Sequence, residues 1–196
     1  MQSHEHIVVS CDADRETGTC FALSAGTQSA YAHTFMQNRV HPPGSAAHFP
    51  LGHIAHDIPD PETRLRGIVL RGPYSWCAYV GAPSDHFLSE LEDIRFQCHY
   101  GWNYAAPGND NPLSAGYYWW GWDYAHGGDL HIPTETFPPE IQALMERRLL
   151  GNRRAKDWTS DEVREHVLDA LMELRSAIQH NAALASTLLC PALPRT

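Results

Sequence analysis

Asp123, His126 and Asp129 are the residues whose types and spacing most readily do chemistry in this chain. They close the run Trp119-Trp120-Gly121-Trp122-Asp123-Tyr124-Ala125-His126-Gly127-Gly128-Asp129, where an aromatic strand passes into Asp-x-x-His-x-x-Asp on a glycine pair. Two carboxylates and an imidazole suit a divalent ion such as zinc or manganese, which makes Asp123, His126 and Asp129 candidate metal ligands. His126 could instead act as general acid or base, oriented by one aspartate. A structural account competes with both: the aspartates satisfy backbone amides at a corner and His126 is an ordinary hydrogen-bonded residue. Gly127-Gly128 makes a continuous helix unfavourable, so the group belongs on a strand-to-loop corner.

Two further histidines could join it. His99 falls on the polar side of an alternating segment, and His86 follows a strand that ends at Gly81-Ala82-Pro83. If those strands flank Tyr117–Trp122, His86, His99 and His126 line one cleft with the two aspartates, and His99 becomes a second candidate catalytic group. Nine aromatic residues between Tyr100 and Tyr124 surround this region. On a strand Tyr117 and Trp119 face one way while Tyr118, Trp120 and Trp122 face the other, so one side is core. The other could stack a flat ligand, with Trp119, Tyr117, Trp102, His86 and His99 as its binding residues, or line a subunit contact. A separate group, His48-x4-His53-x2-His56-Asp57, has ligand chemistry but sits in Pro/Gly-rich chain without a scaffold to preset its geometry. Glycine-rich phosphate loops, Gly-x-Ser-x-Gly and His-Glu-x-x-His are absent from the sequence.

The elements that must position these groups read as follows. Short strands are expected around residues 6–9 and 20–23, then a loop-rich His/Pro/Gly stretch over about 24–61. Strands follow at Leu65–Arg71, Trp76–Val80 and Ile94–Tyr100, the last from the alternation of Ile94, Phe96, Cys98 and Tyr100 with Arg95, Gln97 and His99. Tyr117–Trp122 is the fourth of this group. No helix-length connection separates them, so the sheet should be antiparallel. The period then changes. Pro139 opens one amphipathic helix that closes near Gly151, and Thr159-Ser160-Asp161-Glu162 carries capping-box spacing for a second. Val163, Val167, Leu171, Leu174 and Ile178 give that second helix one apolar face. The expectation is one α+β domain over residues 1–196: a mainly antiparallel sheet with two C-terminal amphipathic helices, within about 139–185, packed on it.

Composition narrows the class. The 196 residues suffice for a core without staples, and no run approaches the ~20 apolar residues of a membrane span. The N-terminus lacks signal-peptide character, and five scattered cysteines without a Cys-x-x-Cys pair fit a reducing compartment. A cytoplasmic protein without membrane partners is expected. A formal charge of −9 disfavours nucleic acid. Arg147, Arg148, Arg153, Arg154 and Lys156 cluster, and a solvated face accounts for them.

Trp76-Cys77-Ala78-Tyr79-Val80-Gly81-Ala82-Pro83 with His86, Cys98-His99-Tyr100-Gly101, and Trp119-Trp120 through Asp123, His126 and Asp129 together resemble a family of small proteins encoded by bacteriophages and prophages. The likeness covers about residues 70–175, with Ala78 and Phe87 standing where that family's pattern has glycine and proline. It implies an accessory protein in the host bacterial cytosol, in a setting of interference with host defence, and supplies no mechanism. Three functions follow as expectations: a binder that captures a small polar, nucleotide-like ligand in the aromatic and His/Asp cleft; a metal-dependent hydrolase of phosphoesterase type using the same cluster; or an inhibitor that contacts a host protein through its acidic surface and exposed aromatics. Binding stands first because no specific catalytic motif is present.

Overall fold

Alternation along Tyr117–Asp123 decides which way the sheet faces. Trp120 and Trp122 turn into the main core with Val69, Trp76, Ala78 and Val80, while Trp119 turns to the opposite face with Ile68, Leu70 and Leu113. The structure, a computed structural model, describes residues 40–132 and 154–189, with helix side chains described as far as residue 181. Five strands, β1 (Ile54–Pro59), β2 (Arg66–Arg71), β3 (Trp76–Pro83), β4 (Tyr104–Pro107) and β5 (Tyr117–Asp123), form one sheet in the order β1-β2-β3-β5-β4. Every neighbouring pair is antiparallel. One long helix, α1 (Ser160–Leu189), packs across β2 and β3. The α+β arrangement is therefore present with one C-terminal helix. The helix expected over 139–151 and the strands expected near 6–9 and 20–23 lie outside the described residues.

Two sequence features dock the helix. Thr159 and Glu162 form a reciprocal capping box: Glu162 Oε2 accepts from the Thr159 amide at 2.9 Å, and Thr159 Oγ1 accepts from the Glu162 amide at 3.3 Å. Val163, Val167, Leu171 and Leu174 are then buried, with Ile178 packed beside them. Val167 meets β2 at Gly67, where an added Cβ would lie only 2.3 Å from its methyl group. Glycine lets the helix approach the strand backbone directly. Across the sheet, Gly81 pairs with Trp119, whose indole lies over it, 2.5 Å from where a Cβ would stand.

Two expectations are corrected, and one strand is added. The segment Ile94–Tyr100 is not a strand: burial alternates only over Ile94–Gln97, and then His99 is 14% exposed while Tyr100, expected on the apolar face, is 72% exposed. Side chains, not a ladder, take part of its backbone bonding: Glu173 accepts from the Gln97 amide at 2.7 Å and Trp102 Nε1 donates to the Ile94 carbonyl at 3.1 Å. The loop-rich stretch contains β1, an edge strand whose His, Asp and Pro content and bulge between Ile54 and His56 interrupt the alternation, leaving Ile54 exposed while Ala55 and Ile58 pack on the core. The other edge, β4, was not anticipated at all; it is a short, mostly exposed strand. Edges tolerate such residues because one side needs no ladder partner.

Arg71 ties the chain together at the end of β2. The residue is 2% exposed, and its guanidinium donates to the carbonyls of Ala46 at 2.7 Å and Ile132 at 2.9 Å, and to Gly72. Burial lowers its pKa from the ordinary arginine value, partly offset by the neighbouring Cys77.

Candidate functional site

The corner after β5 is built by its own aspartates. Asp123 Oδ1 accepts from the Ala125 amide at 2.9 Å, and Asp129 Oδ2 accepts from the His126 amide at 2.9 Å. Amides of Gly128 and Asp129 both reach the His126 carbonyl, so Gly127-Gly128 closes a tight turn. Both carboxylates thus do the structural work that short polar residues do at corners. Asp129 is also bridged through its backbone to the strand-like pair with Lys156: Leu130 N donates to Lys156 O at 2.7 Å, and Lys156 N to Gly128 O at 2.8 Å.

Long-range contacts turn this corner into a cluster. The turn containing His99 folds over it, and His99 Nε2 donates to Asp129 Oδ2 at 2.8 Å. From just before α1, Trp158 Nε1 donates to Asp129 Oδ1 at 2.8 Å. Burial opposes the charge on Asp129 more than any other single influence, yet the Trp158, His99 and His126 hydrogen bonds together outweigh it and hold the carboxyl below its ordinary range. His99 lies flat on Tyr124, with centroids 4.6 Å apart and planes at 9°, and meets Trp158 edge-on. Tyr124 Oη accepts from Trp122 Nε1 at 3.2 Å and meets His166 Nδ1 of α1 at 2.8 Å. Burial first, and the His99 charge second, lower the pKa of His166.

His126 differs from its neighbours. Its Nδ1 is buried, has no hydrogen-bond partner, and stands 3.8 Å from both Asp123 Oδ1 and Asp129 Oδ2. Tyr100 stacks on its ring at 4.5 Å and 13°. Tyr100 is 72% exposed and adopts a left-handed φ of 57°, a costly conformation for a large side chain. Candidate donor atoms of His99, His126 and Asp129 all lie within 4.8 Å of one another. Ligand atoms on a tetrahedral ion at ~2.0–2.1 Å sit about 3.3 Å apart, between the 2.8 Å and 3.8 Å separations seen here.

The single cleft expected from the sequence is not formed. Cys77 pairs with Asp123 and Pro83 with Tyr117, so Asp123 and Tyr117 stand at opposite ends of β5, about 20 Å apart at ~3.3 Å per residue. His86, three residues beyond Pro83, belongs to the Tyr117 end; its Nδ1 accepts from the Leu88 amide and its ring stacks on Phe87. Trp119 is fully buried, and its Nε1 donates to the Ser114 carbonyl, so it offers no face to a ligand. Trp102 packs on the main core. His99, His126, Asp123 and Asp129 are the predicted residues that the fold brings together.

Trp158, His166 and Tyr100 complete the cluster and were not singled out for it. The sequence carries a trace of two of them. Trp158 stands directly before the capping box, and His166 borders the apolar stripe next to Val167, where an imidazole needs a polar partner. The second histidine group disperses: His53 stacks on Phe49, His56 lies 3.3 Å from Asp161, and the described residues place no shared ligand geometry there. Of the basic cluster, Arg154 and Lys156 are described; Lys156 Nζ lies 3.4 Å from the Trp158 ring centroid and 3.0 Å from Glu162.

Comparison of the chain with models of protein families, with curated proteins and with solved structures gave no match in any of the three. Among the described residues no helix is long and apolar enough to cross a membrane.

Proposed function

We propose that the corner after β5 binds one divalent transition ion through His99, His126 and Asp129, and that the protein is a metal-dependent hydrolase of a small polar substrate. The observation that carries this reading is the buried, unpartnered Nδ1 of His126, facing two carboxylates beside a His99–Asp129 pair at ligand distance. A neutral imidazole nitrogen, a second imidazole and a carboxylate form a borderline-hard donor set that suits zinc. Ligation through Nε2 would need His99 as the neutral tautomer with its proton on Nδ1, so protons would compete with the ion and binding would weaken at low pH.

With three protein ligands, a held ion would leave a position for water and would supply Lewis acidity there. Asp123, one-third exposed and 3.8 Å from His126 Nδ1, would serve as the base beside it. Tyr124 and Trp158 hold the His99 ring from its face and edge, and Trp158 also fixes the second oxygen of Asp129. Such partners orient ligands in metal sites generally. Separation of Trp119 and Tyr117 from this corner is what ranks hydrolysis above capture of a stacked ligand here. Combined with the resemblance to phage-encoded proteins, the reading is of an accessory protein that degrades a small host molecule.

Metal analysis of untagged protein tests it, with turnover of a chromogenic phosphodiester as the second readout. One zinc or manganese per chain is expected in wild type, with metal-dependent turnover, and none in His126→Ala. Asp123→Asn, which keeps an acceptor for the Ala125 amide, should keep the ion and lose about 100-fold or more in turnover, the usual share of a general base. Equal metal content in wild type and His126→Ala refutes the site; a bound ion without turnover of any ester refutes the hydrolase.

A further inference from the structure

The far end of the sheet carries a pocket of about 320 Å³ lined by Pro59, Asp60, Pro61, Arg64, Leu65, Arg66, Pro83 and Tyr117. We propose that it is a second binding site, independent of the metal corner, for a small planar ring bearing one anionic group, phosphate or carboxylate. Its volume falls at the lower end of the range for small-molecule sites, which are mostly apolar with a few placed polar groups. Three prolines, Leu65 and the Tyr117 ring supply stiff apolar walls. Arg64 and Arg66 supply the charge.

Both guanidiniums are held in place by carboxylates, Arg66 more firmly than Arg64. Arg66 is bidentate to Asp57, with Nε at 2.7 Å and Nη2 at 2.6 Å, and donates to Ser114 Oγ at 3.1 Å. It lies 5.9 Å from the Tyr117 centroid, so the ring helps order it. Arg64 is paired with Asp85. Asp85 is 71% exposed and a single-bonded pair this open contributes little, so an incoming anion can replace it on Arg64, while the bidentate Asp57 pair holds Arg66 in the pocket wall. The remaining acid in the wall, Asp60, is already neutralised: Arg175 of α1 donates to it twice, at 2.6 and 3.1 Å, and Thr63 Oγ1 at 2.6 Å.

Backbone strain points to the same place. Arg64 has φ of 65° in the turn between β1 and β2, where a glycine would sit without cost. The turn imposes this conformation through the Asp60 bonds and the Asp60 amide to the Leu65 carbonyl at 2.8 Å. The turn thereby fixes Arg64 at the pocket rim.

Adenosine 5′-monophosphate and benzoate, titrated by calorimetry and ligand-observed NMR in the presence of a chelator, test the proposal against adenosine and inorganic phosphate. Both ring-bearing anions should bind, with the ring alone and phosphate alone about tenfold or more weaker. Arg64→Gly removes the guanidinium and relieves the strained φ, so it should melt no lower than wild type while losing at least about tenfold in affinity, as for a charged hydrogen bond. Arg66→Gln should lose as much. Undiminished binding to Arg64→Gly, binding by neither ring-bearing anion, or binding that disappears when chelator strips the metal corner would overturn the proposal. Metal content of the untreated protein is read separately, so either site can fail alone.

Discussion

Replacing Asp129 with alanine removes the acceptor on which three donors converge: Trp158 Nε1 at 2.8 Å, His99 Nε2 at 2.8 Å and the His126 amide at 2.9 Å. The carboxylate is 5% exposed, so water does not readily take its place. Each buried donor left without a partner costs about 1–3 kcal/mol. His99, 14% exposed, can turn toward solvent, so two orphaned donors plus the lost charged contacts give about 3–5 kcal/mol. Asp129→Asn retains one acceptor oxygen but sets an amide N–H₂ against a donor, for a loss of about 1–3 kcal/mol. His126→Ala breaks no hydrogen bond at Nδ1 and loses mainly the Tyr100 stack, about 1 kcal/mol. Equilibrium urea unfolding of chelator-treated protein, followed by tryptophan fluorescence, should therefore rank the losses Asp129→Ala, then Asp129→Asn, then His126→Ala. Adding zinc at 100-fold over its Kd should raise only the wild type, by about 2.7 kcal/mol. If Asp129→Ala loses less than about 1 kcal/mol without metal, the carboxylate is not the anchor of the corner and the argument built on it fails.

Gly81→Ala would place a Cβ 2.5 Å from the ring of fully buried Trp119, so chemical denaturation should show a loss of about 2–3 kcal/mol, with Gly81→Ser no better. Asp60 gives the pH dependence. Burial pushes its carboxyl up, but Thr63, Arg175 and the Glu62 amide outweigh this and hold it below 3.8. A depressed carboxyl contributes stability above its unfolded pKa and loses it as pH falls through the folded value. The gap in urea midpoint between wild type and Asp60→Asn should be constant above about pH 5 and close as the pH drops below 3.8; a gap unchanged down to pH 2 would contradict this.

Local rules carried the parts of this molecule that local physics controls. Period-two alternation placed Trp119 and Trp120 on opposite faces of β5, because successive side chains of any strand diverge. Capping chemistry at Thr159 and Glu162 started α1 where it begins, because the orphan amides of a first turn need nearby acceptors. The strand-to-loop corner with two carboxylates, one imidazole and a glycine turn was legible for the same reason.

Alternation did not establish pairing. Ile94–Gln97 has a strand's pattern of burial without a strand's ladder, since side chains from α1 and Trp102 take its backbone groups. Conversely, β1 has the ladder without a strand's composition, because an edge needs bonding on one side only.

Register and chain crossing decided the site. Pairing Cys77 with Asp123 and Pro83 with Tyr117 sends the ionisable corner to one end of the sheet and His86 with Tyr117 to the other. No property of the individual strands contains that choice. His99 and Trp158 reach Asp129 from 30 and 29 residues away in opposite directions along the chain, and His166 arrives on the helix they precede. The sequence by itself determined which residues had the chemistry. Only the tertiary structure decided that His126 would be left with a buried nitrogen unpartnered among them, since that depends on where three separate segments come to rest.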